Sequence, residues 1–183
     1  MENKKKNIRK VILWIFVYAI CITAVVMSVE HFFISPMQVV GDSMNPVLSD
    51  RDLILIHKMA YQKESPKRFD LVVFTYRGDQ DIQYIKRVIG LPGETIEIKN
   101  NRIYVDSEEL KEYYGIYEHK KKQLETYGPY TLGTDEFFVL GDNRQHSVDS
   151  RSGDVGPVKA ELLVGKAIFR FWPIQGVGSL KYQ

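Results

Sequence analysis

Between positions 11 and 29 the chain carries no charged side chain, while the ten positions before that run hold Lys4, Lys5, Lys6, Arg9 and Lys10. An apolar run of this length crosses roughly 30 Å of hydrocarbon as a helix. The pattern therefore predicts one transmembrane anchor over 11–29 behind a basic tail over 1–10. A cleavable leader is the first competing reading, but its apolar core runs to about 7–15 residues and ends in a small-x-small site. No such site stands near Val26 to His31. A buried helix of a soluble core is the second competitor, disfavoured by the length and the lack of charge. No Lys or Arg occurs between Glu30 and Asp50, so the charge asymmetry predicts a cytoplasmic N-terminus and a domain on the far side of the membrane.

Beyond the span the pattern changes to short runs rich in branched and aromatic side chains. Those at 52–57, 71–75, 82–89, 95–99, 102–105, 136–140 and 164–171 read as strands because turn formers bound each of them. They predict a mainly β, barrel-like or sandwich domain over 30–183. Arg77-Gly78-Asp79, Leu91-Pro92-Gly93-Glu94 and Gly141-Asp142-Asn143 supply turns, and Asn100-Asn101 reads as a tight hairpin. Ser35-Pro36 reads as the point where the chain settles on the outer bilayer surface. The stretch 106–133 is crowded with Glu, Lys and Tyr, including Glu118-His119-Lys120-Lys121-Lys122, and predicts a solvated insertion. Its lysines read first as an exposed face and second as a patch for anionic lipid. Phe169, Phe171, Trp172 and Ile174 fit either a core strand or a membrane contact.

At 183 residues the chain holds one domain with a real core once the tail and span are set aside. Five of its 25 basic residues and one of its 23 acidic residues lie in the first ten positions, leaving 20 and 22 elsewhere. A domain so nearly neutral is a poor nucleic-acid binder. Cys21 is the only cysteine and lies in the span, so the domain has neither a disulfide framework nor a thiol metal site. His31, His57 and His119 show no ligand spacing, and no metal is expected.

Three segments carry candidate chemistry. Ser43 sits in Gly41-Asp42-Ser43-Met44-Asn45-Pro46, where glycine permits unusual dihedrals, proline stiffens the exit and backbone amides can face an oxyanion. An ordinary loop has the same composition, and a serine hydroxyl becomes a nucleophile only beside a base. Lys86 is the candidate base, since a period of two places it on one strand face with Ile82, Tyr84 and Val88. Base action near neutrality requires a pKa far below the usual value of roughly 10.4, which means destabilising the ammonium by about 4 kcal/mol through burial. The competing reading is a lysine whose stem covers the core while its head stays in water. The third segment is the dense polar run from Gly141 to Arg151, which follows the apolar strand Phe137-Phe138-Val139-Leu140.

In order, Ser43-Met44 with Pro46, Asp70-Leu71-Val72-Val73-Phe74, Tyr84-Ile85-Lys86-Arg87-Val88-Ile89-Gly90-Leu91-Pro92-Gly93-Glu94 and the Gly141 to Arg151 run resemble the type I signal peptidases. The single short anchor resembles their small Gram-positive branch. The resemblance covers the anchor and most of the domain outside 106–133. It implies a β-rich catalytic domain outside the plasma membrane that cleaves signal peptides from exported preproteins after small residues at −3 and −1. It further implies Ser43 as nucleophile, with its backbone amide on the oxyanion, and neutral Lys86 as general base. Ser147 matches the serine that orients the lysine amine, Asp142, Asp149 and Arg151 match bracing positions, Arg87 is a partner for Asp142, and Met44 belongs to the serine motif. Some members carry a serine two residues before the nucleophile, where this chain has Gly41. The partners implied are preprotein signal peptides and the bilayer, with a monomer as the working form and no cofactor.

Rival readings remain. Ser43, His146 and Asp142 or Asp149 could form a serine-histidine-aspartate set, since histidine needs far less adjustment than lysine. A tethered noncatalytic protein on the same fold is a second rival, and a serine-lysine peptidase that cleaves itself or a regulator is a third.

Overall fold

The computed structural model describes residues 2–112 and 126–180. With neither glycine nor proline from Glu2 to Phe32, the N-terminal region forms one helix, α1 (Glu2–Phe32). Its segment Asn7–Val29 is long and apolar enough to cross a membrane, and none of that segment is buried against the domain. Thr23 and Ser28 donate their hydroxyls to the carbonyls of Ala19 and Ala24 one turn back, which satisfies them without water. The helix is longer than the apolar run, since it takes in the basic tail over 2–10 as well.

The strands are β1 (Ile34–Gln38), β2 (Leu53–His57), β3 (Leu71–Tyr76), β4 (Asp79–Gly90), β5 (Thr95–Lys99), β6 (Arg102–Val105), β7 (Glu108–Glu109), β8 (Tyr127–Thr131), β9 (Glu136–Leu140), β10 (Val158–Lys159), β11 (Leu163–Trp172) and β12 (Gly178–Ser179). An eight-stranded sheet runs β1-β2-β11-β3-β4-β9-β10, with β12 added to β11, and a four-stranded sheet runs β7-β6-β5-β8. The mainly β expectation holds. The hairpin at Asn100-Asn101 also forms, with Lys99 opposite Arg102 and both asparagines at positive φ, as a tight two-residue turn demands.

Leu71, Val73 and Ile85 join one apolar cluster, while Val72, Phe74, Val88, Phe137 and Val139 join another on the opposite side. A third cluster holds Ile89, Phe138 and Leu140 against the small sheet. Burial on both faces explains why β3 and β9 read as continuous apolar runs rather than as alternations. It also overrides the period of two in β4, which is exposed at Ile82 yet buries Lys86 and Arg87 side by side.

Ser35-Pro36 lies within a strand, Ile34–Gln38, which among the described residues pairs only with β2; Pro36 is tolerated because an edge strand needs no ladder bond from it. The stretch 106–133 is not wholly a solvated insertion. β7, Leu110, β8 and Leu132 complete the small sheet and its core, because Tyr127 and Leu132 supply apolar area that charge counting overlooked. The lysine run 120–122 lies outside the described residues. At the far end of β11, Trp172 and Ile174 are exposed while Phe169 and Phe171 are half-buried.

Candidate active site

Ser43 follows β1 on a loop that is tied down on both sides. Val39 exchanges backbone bonds with Asp52 and Arg51, the Gly41 amide donates to Asp50 Oδ1 at 2.8 Å, and Leu48 N donates to Met44 O at 2.9 Å. Gly41 adopts φ +84°, the left-handed region glycine accepts without strain. Met44, fully buried among Leu48, Ile54 and Ile56, pins the loop to the core. The Ser43 carbonyl accepts from Asn143 N at 3.0 Å, and Asn143 Nδ2 donates to Asp42 O at 3.2 Å. Ser43 is thereby clamped between two distant loops, and among the described residues its own amide has no acceptor.

β4 delivers Lys86. Its Nζ lies 2.8 Å from Ser43 Oγ and 3.0 Å from the Ile85 carbonyl, and 5.3 Å from the centre of the Tyr84 ring. Only 4% of Lys86 is exposed. Burial pulls its pKa down to about 8, against the opposing pull of Asp149 and Asp142.

The neighbouring charges are all committed. Arg87 Nε and Nη2 donate to Asp142 Oδ1 and Oδ2 at 2.7 and 2.6 Å, and Arg151 Nε and Nη2 donate to Asp149 at 2.8 Å each. Asp149 also accepts from Gly141 N at 3.0 Å. Burial pushes the Asp142 carboxyl above its ordinary range, while Arg87 and Arg144 act in the other direction. These pairs hold the 141–151 loop against β4 while leaving Lys86 without a carboxylate on its amine.

A cleft of about 520 Å³ opens over the pair, lined by Met37, Gln38, Val40, Ile82, Gln83, Tyr84, His146 and Val148 among others. β4 pairs with β9 only from Arg87 onward, so its edge over Ile82–Ile85 faces the cleft without a neighbouring strand among the described residues.

The sequence matches the family model described as signal peptidase, peptidase S26, over residues 8–172. The chain belongs to that family. It is 37% identical to a signal peptidase I of Bacillus caldolyticus over 95% of this chain and 96% of that one. It is 32% identical to a signal peptidase I of Bacillus amyloliquefaciens over 98% and 99%, and 32% identical to signal peptidase IB of Staphylococcus aureus over 90% and 91%. A crystal structure of a signal peptidase I from Enterococcus faecalis aligns with a TM-score of 0.48 at 30% identity, covering 56% of this chain and 97% of that one.

In this S26 family member the fold brings Ser43, Lys86, Met44, Arg87, Asp142, Asp149 and Arg151 together. Ser147 departs from its expected geometry: its hydroxyl is buried and bonds nothing among the described residues, while the Lys86 amine takes the Ile85 carbonyl instead. A side chain at Gly141 would overlap both Ser147 Oγ and the Ser43 carbonyl oxygen, so the glycine is what lets the three segments meet. His146 lines the cleft, exposed, but both aspartates offered to it are engaged by arginines. The serine-histidine-aspartate constellation is therefore not assembled. No cluster of metal-ligating side chains occurs among the described residues.

Two residues escaped the sequence reading. Arg144, only 1% exposed, donates its Nε to Gly141 O at 3.0 Å and its two terminal nitrogens to the Glu112 carboxylate. Arg144 was visible as the only other cation of the 141–151 run. Its partner lies 32 positions away in a stretch read as solvated, so spacing offered no signal for the pair.

Proposed function

We propose that this chain is a membrane-anchored serine endopeptidase that removes signal peptides from exported preproteins, with Ser43 as nucleophile and Lys86 as general base. The observation that carries the reading is the 2.8 Å contact between Ser43 Oγ and a buried lysine amine whose pKa is drawn down to about 8. In the neutral amine the contact reverses and the hydroxyl donates. Lys86 then takes the Ser43 proton as Oγ attacks the scissile carbonyl, and returns it to the departing amine as the acyl-enzyme forms. Lys86 next deprotonates a water, which cleaves the ester and regenerates Ser43. The chain itself supplies nucleophile and base, so no cofactor enters the scheme.

The unpaired Ser43 amide is the donor available to the oxyanion. An extended substrate adds as a strand along Ile82–Ile85, with its small side chains at −3 and −1 turned into the cleft beneath. Ser147, with an orphan hydroxyl beside Gly141, acts as an orienting group by turning toward the Lys86 amine when the cleft fills. In this reading α1 anchors the enzyme with its N-terminus in the cytoplasm and its domain outside, and a monomer suffices because one chain holds the complete site.

The test is cleavage of a preprotein bearing an Ala-x-Ala site by the detergent-solubilised chain. Ser43→Ala is expected to lower the rate by at least about 10³-fold with unchanged circular dichroism. Undiminished cleavage removes Ser43 as nucleophile.

A further inference from the structure

A second cavity, of about 470 Å³, lies where α1 meets the domain, with Phe33, His57, Tyr61, Lys63, Lys67 and Lys166 in its wall. Phe33 is the first residue after α1. It lies four positions beyond the apolar segment that ends at Val29, a rise of about 6 Å. That distance equals the depth of a headgroup layer, about 5–7 Å outside the hydrocarbon. The cavity is held at this level by backbone, since Lys58 N donates to Phe33 O at 3.0 Å and Ile34 pairs with His57.

The chemistry of the wall matches that position. On this side of the span residues 30–50 contain no Lys or Arg, Arg51 meets Asp50 at 3.5 Å, and the next cations are the lysines of the 58–67 loop. The loop carries Lys58, Lys63 and Lys67 against Glu64 alone. Asp70, the other carboxylate of the wall, is engaged by Lys166 at 2.6 Å, the Tyr61 hydroxyl at 3.2 Å and Lys67 N at 3.1 Å. Lys63 makes no ion pair among the described residues, and Lys67 meets Glu64 only at 3.5 Å with both side chains exposed, a weak pairing. Tyr61 adds to the wall an amphipathic ring of the kind found at headgroup depth. The apolar flank of α1 lies directly below, uncovered by the domain.

We infer that this cavity binds the phosphate of an anionic phospholipid headgroup through Lys63 and Lys67, with the acyl chains laid along α1. The inference rests on α1 crossing a membrane and not on the peptidase activity, so its test measures lipid rather than cleavage. The full chain in neutral detergent is titrated with phosphatidylglycerol or phosphatidylcholine and retained lipid is counted by native mass spectrometry. One bound phosphatidylglycerol is expected, held about tenfold more tightly than phosphatidylcholine. Lys63→Gln with Lys67→Gln, and separately Lys63→Glu, should abolish that preference at an unchanged melting temperature. Lys5→Gln with Lys6→Gln, at the other end of the helix, should keep it. Equal retention of the two lipids overturns the inference, as does a preference that survives the cavity variants and disappears with the tail variant. Displacement of the lipid by millimolar glycerol 3-phosphate overturns the lipid assignment in favour of a soluble phosphate ester.

Discussion

Lys86 reaches Ser43 with its amine stripped of water on nearly every side, and that single fact has two measurable consequences. The first is a pH profile: kcat/KM should rise about tenfold per pH unit below 8 and level off above it, because only the neutral amine accepts the Ser43 proton and its pKa is about 8. Asp149→Asn should move this limb to lower pH, since the Asp149 charge holds the lysine pKa up; a limb that stays in place or moves to higher pH contradicts the assignment. The second consequence concerns stability. The unfolded chain keeps its proton up to about 10.5 and the folded chain only up to about 8, so below 8 the buried charge costs the folded state about 3 kcal/mol. That cost fades as pH rises from 8 to 10.5. Lys86→Met should therefore abolish cleavage yet melt higher than the parent at pH 7, with the difference shrinking toward pH 10, which thermal denaturation across pH would show. Ser43 and Lys86 were legible because their motifs are local, whereas the unbonded Ser147 hydroxyl was not, since a rotamer depends on neighbours from other segments.

At the scale of elements, the 141–151 loop is held by three arginines that reach it from different places. Arg87 comes from β4, Arg151 from the loop's own end, and Arg144 turns inward to Glu112 beyond β7. Removing one partner of a buried ion pair costs about 3–5 kcal/mol, because the remaining charge is left in a dry site. Glu112→Ala should accordingly lower stability by about 3 kcal/mol in a denaturant melt and reduce kcat through displacement of Gly141 and Ser147. Loss of neither would show that the Glu112 contact is peripheral. The strand pattern was readable for β2, β3, β5, β6, β9 and β11. β1 was hidden by Ser35-Pro36, which only an edge position accommodates, β7 by its charge and β8 by Gly128-Pro129.

For the whole molecule, anchoring and catalysis belong together. A substrate held by its own apolar segment in the same bilayer meets the cleft at a raised effective concentration. A preprotein embedded in proteoliposomes with the full chain should then show kcat/KM at least about tenfold above that of a water-soluble peptide carrying the same cleavage site. Equal values would mean that the anchor does not serve proximity.

The sequence by itself determined an apolar helix long enough to cross a membrane, the mainly β character and the candidate serine and lysine, because apolar length, strand composition and short motifs are properties of neighbouring positions. Tertiary structure alone decided that Lys86 and Arg87 are buried side by side, that Asp149 is claimed by Arg151 so that neither aspartate is left to His146, and that Glu112 meets Arg144. Each of these depends on which distant strands exclude water from a given side chain, and burial of that kind is a property of the packed sheets rather than of local order along the chain.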